Sequence, residues 1–335
     1  MKSSVNLVYI RETSKLSVIL QILTNNIVPL FVLIILGFAL DKLFELDINS
    51  LTKISFYVFV PAFTFVNLYQ TTIEIDALMA MLVTALVMAA NMLVSFLIAK
   101  VRRYDESLTS AFQNSVMFYN SGNIGIPVIT LVFSSSAYLV NGSSPYLSLA
   151  LTIQIMVLVI QNTIMNTFGF YNAGKANSRW YEAVAVMFRM PAIYMVGLAF
   201  LLKTFPYDFT RLPVWPALEY ARNGLVPVAL LTLGVQLSKS QIRLKNRTVY
   251  LAVFTRLVLG PLFALAFIYL LRLEGVVAQV LMISAAVPTA VNVALIAVEC
   301  DNQPDFSTQV VVISTIASSI TLTGVIYFAT RLFPV

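Results

Sequence analysis

The sequence predicts an all-α polytopic membrane protein, with ten transmembrane helices in two inverted five-helix repeats and broken crossover helices four and nine. Three observations predict it. The 335 residues are 59% hydrophobic and only 11% charged, with a mean hydropathy of +0.87. Soluble chains carry about 25% charged residues, so too few charges are present here to cover a water-facing surface. The apolar residues fall in runs of roughly 20 or more, the length a helix needs to cross a bilayer, and they lack the period-two alternation of membrane strands. Prolines recur in the same order in the two halves of the chain.

The runs are read in order. Val18 to Leu40 is not read as a cleavable signal peptide: it runs past 20 residues, carries Asn25, Asn26 and Pro29, and has no A-x-A cleavage site. Leu51 to Tyr69, Ala77 to Ala99, Leu108 to Phe133 and Tyr146 to Phe170 complete the first half. Ala183 to Leu202, Leu218 to Leu237, Val249 to Leu271, Val276 to Val298 and Thr308 to Leu332 form the second. Ten spans use roughly 200 residues and leave only short loops. Loops on one side hold Lys42, Lys53, Lys100, Arg102, Arg103, Lys175, Arg179, Lys239, Arg243, Lys245 and Arg247. The other side has only Lys203, Arg211, Arg272 and Arg331. The richer side is expected in the cytoplasm, with both termini outside. Lys2, Arg11 and Lys15 in the N-terminal tail pull the other way. The net charge of +6 is assigned to these loops and not to nucleic-acid binding.

The chain has no His and a single Cys, Cys300. Disulfide frameworks, Cys/His zinc sites and Cys–His or Ser–His catalysis are therefore excluded. No enzyme activity, cofactor or metal is expected.

Pro29 pairs with Pro191, Pro61 with Pro227 and Pro127 with Pro288, at nearly one offset and at similar depths in spans one and six, two and seven, four and nine. The chain reads as two halves joined near Tyr171 to Glu182. An odd number of spans per half inverts the second, an architecture of transporters whose substrate site lies at the repeat interface near mid-membrane.

Span four contains Asn120-Ser-Gly122-Asn123-Ile-Gly125-Ile-Pro127. Glycine costs about 1 kcal/mol and proline about 3 kcal/mol in a helix interior. Broken backbone survives in a bilayer only against protein or a wet cavity. Two half-helices are expected, with Pro127 in the first turn of the second and that N-terminus suited to an anion. Span nine repeats the pattern with Pro288-Thr-Ala-Val-Asn292. Asn120, Asn123 and Asn292 are candidate hydrogen-bonding groups. Gly122 and Gly125 would let backbone approach a ligand, and Pro127 and Pro288 would set the half-helix ends. Gln154, Gln161, Asn162 and Asn166 line span five; Gln161 is a further candidate, although helix-to-helix bonding explains all four equally well. Arg256 and Arg189 read as the deepest cations. Arg256 either attracts an anion or snorkels to the interface, the second being preferred. Span centres carry no Asp or Glu, so a proton relay has no obvious carrier.

These residues resemble the auxin efflux carrier family of membrane transporters, which includes plant auxin exporters and bacterial permeases for malate or malonate. The resemblance lies in Asn120 to Pro127, Val226 to Leu237, Arg256-Leu-Val-Leu-Gly-Pro261, Pro288 to Asn292 with Ala297-Val-Glu299, and Val311 to Thr315 with Leu322-Thr323. The short join resembles the bacterial type. The resemblance implies a scaffold domain over residues 17–70 and 183–238 that forms a homodimer. It implies a transport domain over 76–170 and 247–333 that moves as an elevator in the plasma membrane. The implied substrate is a small organic anion, a carboxylate or an auxin-like weak acid, seated by Pro127, Pro288 and Asn120. A charged support site found in some relatives has no clear Asp or Glu equivalent in span two here. An anion channel or a membrane-embedded ligand sensor on the same fold is the alternative.

Overall fold

The computed structural model describes residues 20–70, 75–174, 191–239 and 246–335. The tail with Lys2, Arg11 and Lys15, the first residues of spans one and six, the join beyond Gly174 with Lys175, Arg179 and Arg189, and Arg243 and Lys245 lie outside the described residues.

The described chain is helical throughout. The helices in order are α1 (Leu20–Phe44) and α2 (Ile48–Gln70), α3 (Ile75–Arg102), α4 (Glu106–Met117), α5 (Ser121–Phe133) and α6 (Leu147–Ala173). Then follow α7 (Pro191–Lys203), α8 (Trp215–Ser238), α9 (Arg247–Leu270), α10 (Gly275–Ala285), α11 (Val291–Glu299) and α12 (Pro304–Leu332). Six of these, α1, α2, α3, α6, α9 and α12, are long and apolar enough to cross a membrane by themselves. The predicted fourth and ninth spans are each divided into two short helices. Span seven, α8, is long enough but carries Glu219, Arg222 and Asn223 in its first half.

Side-chain polarity is distributed as a bilayer requires. Ile35, Leu93, Leu262 and Ile320 are exposed on the outside, whereas Asn91, Gln154, Arg256 and Thr289 are wholly buried. Lipid tails solvate the first group, and the protein interior supplies hydrogen-bond partners for Gln154, Arg256 and Thr289.

Proline shapes four of the helices, α1, α2, α5 and α9, in one way. A π turn covers Leu23–Ile27, Ser55–Phe59, Ser121–Gly125 and Thr255–Leu259. Each ends two residues before a proline: Pro29, Pro61, Pro127 and Pro261. The proline ring collides with the carbonyl four residues back and offers it no N–H. Widening the turn moves that carbonyl aside while the helix continues. These prolines therefore mark loosened turns and not helix ends.

Helices α1 and α8 lie backbone against backbone. A Cβ on Gly37 would overlap the Leu231 carbonyl, and one on Gly234 would overlap the Ile34 carbonyl. Small residues at such a contact let membrane helices approach closely. Polar contacts close one end of the pair: Ser238 Oγ donates to Asp41 Oδ2, Lys239 Nζ lies 3.0 Å from Asp41 Oδ1, and Lys42 Nζ donates to the Ser238 carbonyl at 3.0 Å.

Candidate functional site

The two broken spans cross at their breaks. Between α4 and α5 the chain is extended over Phe118 and Tyr119, and between α10 and α11 over Pro288 to Ala290. The two strips pair antiparallel at Tyr119 and Thr289. Asn120 N–H donates to the Pro288 carbonyl at 2.8 Å, and Ala290 N–H donates to the Phe118 carbonyl at 3.1 Å. Each break thus satisfies backbone groups of the other, which is how unwound chain persists away from water. Thr289 Oγ1 also donates to the Ser115 carbonyl at 2.8 Å.

This pairing fixes two electrostatic poles. The first turns of α5 and α11 supply Ser121, Gly122, Asn123, Val291 and Asn292 to the wall of one cavity of about 60 Å³. Helix N-termini carry roughly half a positive charge each, so the cavity wall is positive with no ionised side chain in it. Asn120 caps α5: its Oδ1 accepts from Asn123 N–H at 3.0 Å. Asn120 lines the cavity, and its Nδ2 is buried without a hydrogen-bond partner. An amide nitrogen can only donate, so only an acceptor could satisfy this group. Leu158, Met165 and Leu225 give the same cavity an apolar side. The volume suits a few water-sized occupants or the head of a ligand whose body lies outside.

The opposite ends of the half-helices meet at Arg256. The C-termini of α4 and α10 are their negative poles. Arg256 Nη1 donates to the Val116 carbonyl at 3.0 Å, and Nη2 donates to the Ala285 carbonyl. The guanidinium also lies 4.8 Å from the centre of the Tyr119 ring, within cation–π range. Arg256 is fully buried, so the preferred sequence expectation of a snorkelling side chain is corrected. The planar fork of a guanidinium holds its donors in a fixed geometry that spans two carbonyls, which a compact ammonium lacks. Its path explains part of the Arg256-Leu-Val-Leu-Gly-Pro motif. Gly260 is one turn on, and a Cβ there would lie 2.8 Å from Arg256 Cζ and 2.9 Å from the Ala285 carbonyl oxygen.

The predicted site residues divide into two groups. Asn120, Gly122, Asn123 and Asn292 line the cavity. Gly125, Pro127, Pro288 and Gln161 stand behind it. Pro127 is not in the first turn of its half-helix, as expected from sequence. That helix begins at Ser121 under the Asn120 cap, and Pro127 follows the π turn. Pro288 lies in the extended strip and sets no helix end. Gly125 makes room for protein: an added Cβ would overlap Gln154 Nε2. Gln161 Oε1 accepts from Tyr119 N–H at 3.4 Å, leaving its Nε2 buried without a partner.

Gln154 is a bracing residue, in the helix-to-helix role that its place in span five suggested. Its Nε2 donates to the Ser121 carbonyl at 2.8 Å, and its Oε1 accepts from Ser284 Oγ. It ties α5 to α10 through α6. The spacing of Gln154 and Gln161, two turns apart on one face, is the signal that was available. No group of three or more His, Cys, Asp or Glu side chains gathers among the described residues.

A crossover of broken helices inside an apolar-surfaced helical body defines a class, the polytopic α-helical membrane transporters. Residues 187–326 match the family model described as "Membrane transport protein". The chain is also 24% identical over 304 residues to an uncharacterized transporter of Methanothermobacter thermautotrophicus, covering 89% of this chain and 96% of that one. The two matches bear out the resemblance to the auxin efflux carrier family drawn from the motifs.

Proposed function

We propose that the protein is a secondary carrier of small organic anions, carboxylates or auxin-like weak acids, which bind where the broken spans four and nine cross. The observation that carries this reading is the unpartnered Asn120 Nδ2, buried at a cavity between two half-helix N-termini. A carboxylate supplies both the acceptor and the negative charge which that arrangement lacks. The wider reading follows the resemblance: ten spans in two inverted repeats, with residues 17–70 and 183–238 as a dimeric scaffold. Residues 76–170 and 247–333 then move against it in the plasma membrane. The joint bracing of α4, α5, α10 and α11 by Arg256, Gln154 and Thr289 supports their moving as one piece. Uptake of radiolabelled acetate, malonate, malate and indole-3-acetate into proteoliposomes tests the reading. Saturable uptake of at least one anion by the wild type, lost in Asn120→Ala, is expected. Single-channel currents, or unaltered uptake in Asn120→Ala, would contradict it.

A further inference from the structure

A second cavity, of about 510 Å³, opens at the other end of the same interface. Helices α2, α5, α6 and α8 line both cavities, through Val60, Ile126, Leu158 and Leu225 in the crossover cavity and Phe63, Thr130, Leu151 and Val226 in the larger one. About one turn of α5 separates them. The larger cavity lies at the Gln70 end of α2, the side the loop charges predict to face outward.

Its wall mixes apolar and polar side chains and carries one cation. Asn67, Gln70, Thr130, Ser148 and Asn223 contribute amides and hydroxyls beside Arg222. Arg222 Nη1 donates to Gln70 Oε1 at 3.1 Å and Nε donates to Asn223 Oδ1 at 3.3 Å. Both partners are neutral. The nearest acid along α8, Glu219, accepts instead from Trp215 Nε1 at 3.1 Å. Among the described residues Arg222 forms no ion pair. Among the described residues its positive charge is therefore held in position by neutral groups and paired with no carboxylate within 4 Å, beside a cleft with room for a whole small molecule.

We propose that this cavity is a capture site for a small organic carboxylate, with Arg222 as its anchoring cation, from which the ligand passes to the crossover. The proposal rests on the carrier reading above and assigns it an approach path. A cation in a cleft with low-dielectric walls concentrates anions there, an effect that salt weakens.

The test measures transport of the same four anions from each face, in intact cells and in inside-out vesicles, at low and high ionic strength. Arg222→Gln is expected to raise KM about tenfold at low salt from one face only, with kcat unchanged. Salt should raise the wild-type KM on that face and leave the variant's KM alone. Arg222→Lys should restore most of the difference. Asn120→Asp should abolish transport from both faces. Unchanged KM in Arg222→Gln, or an equal rise on both faces, overturns the capture site while leaving the carrier reading standing. A wild type that transports none of the four overturns both.

Discussion

Replacing Gly260 by alanine adds one methyl group where the Arg256 side chain crosses its own helix. Helix propensity alone predicts a gain of about 1 kcal/mol for this change. The geometry predicts a loss. The new Cβ would lie 2.8 Å from Arg256 Cζ and 2.9 Å from the Ala285 carbonyl oxygen, and one of those atoms is backbone. The guanidinium must leave the Ala285 carbonyl, forfeiting a charge-assisted hydrogen bond of about 1.5–3 kcal/mol. Overpacking of the remaining contact adds about 1–3 kcal/mol. Net destabilisation of roughly 1.5–5 kcal/mol follows after subtracting the propensity gain. Equilibrium unfolding in mixed micelles reads it, with Gly324→Ala as control, since a Cβ at Gly324 meets nothing within 4 Å. The control should be neutral or up to about 1 kcal/mol more stable. In an Arg256→Met background the Gly260→Ala penalty should shrink by at least about 1 kcal/mol, because the two sites are in contact. A Gly260→Ala protein as stable as the wild type, beside a well-behaved control, would refute the bracing role of Arg256.

Three further expectations concern the same fold. Gly125→Ala should displace Gln154 from the Ser121 carbonyl and lower stability by about 1–3 kcal/mol, measured by thermal unfolding, with Gln154→Ala already containing most of the effect. Asp105→Ala should cost about 1 kcal/mol by removing the α4 cap, in which Asp105 Oδ1 accepts from Leu108 N–H at 2.7 Å; Asp105→Ser should restore it. Asp47, in the loop before α2, is held below its ordinary carboxyl value of 3.8 by the Ser50 hydroxyl and the Asn49 N–H. A lowered folded value means that its contribution is complete above 3.8 and is lost as pH falls through the folded value. Melting temperature should therefore fall less steeply below about pH 4 in Asp47→Ala than in the wild type.

Much of the helix layout was legible because it depends on composition and spacing. Apolar run length located the long helices, and Asn120 to Pro127 and Pro288 to Asn292 located both breaks. The cavity-lining asparagines followed from the same clusters. What sequence left hidden was three-dimensional pairing. Pro127 reads as a helix start, but a π turn absorbs it, and nothing in the local sequence fixes the choice. Gly125 reads as room for a ligand, whereas the neighbour across the gap is Gln154 from another helix. Arg256 reads as a snorkelling cation because its acceptors are backbone carbonyls on α4 and α10, which leave no residue signature. The Arg-x-x-x-Gly spacing was the one local clue, since it clears a path along a single helix face.

Calorimetric titration of acetate, malonate, malate and indole-3-acetate into the detergent-purified protein, wild type against Asn120→Asp, is the most direct measurement. Aspartate keeps the α5 cap, for which it is as suitable as asparagine, but it removes the Nδ2 donor and adds a negative charge to the cavity. The wild type should bind at least one of these anions. Asn120→Asp should melt within a few degrees of the wild type, by an order-of-magnitude allowance for a retained cap, and bind none. Equal affinity in the two proteins, or no binding by the wild type to any of the four, would contradict an anion site at the crossover.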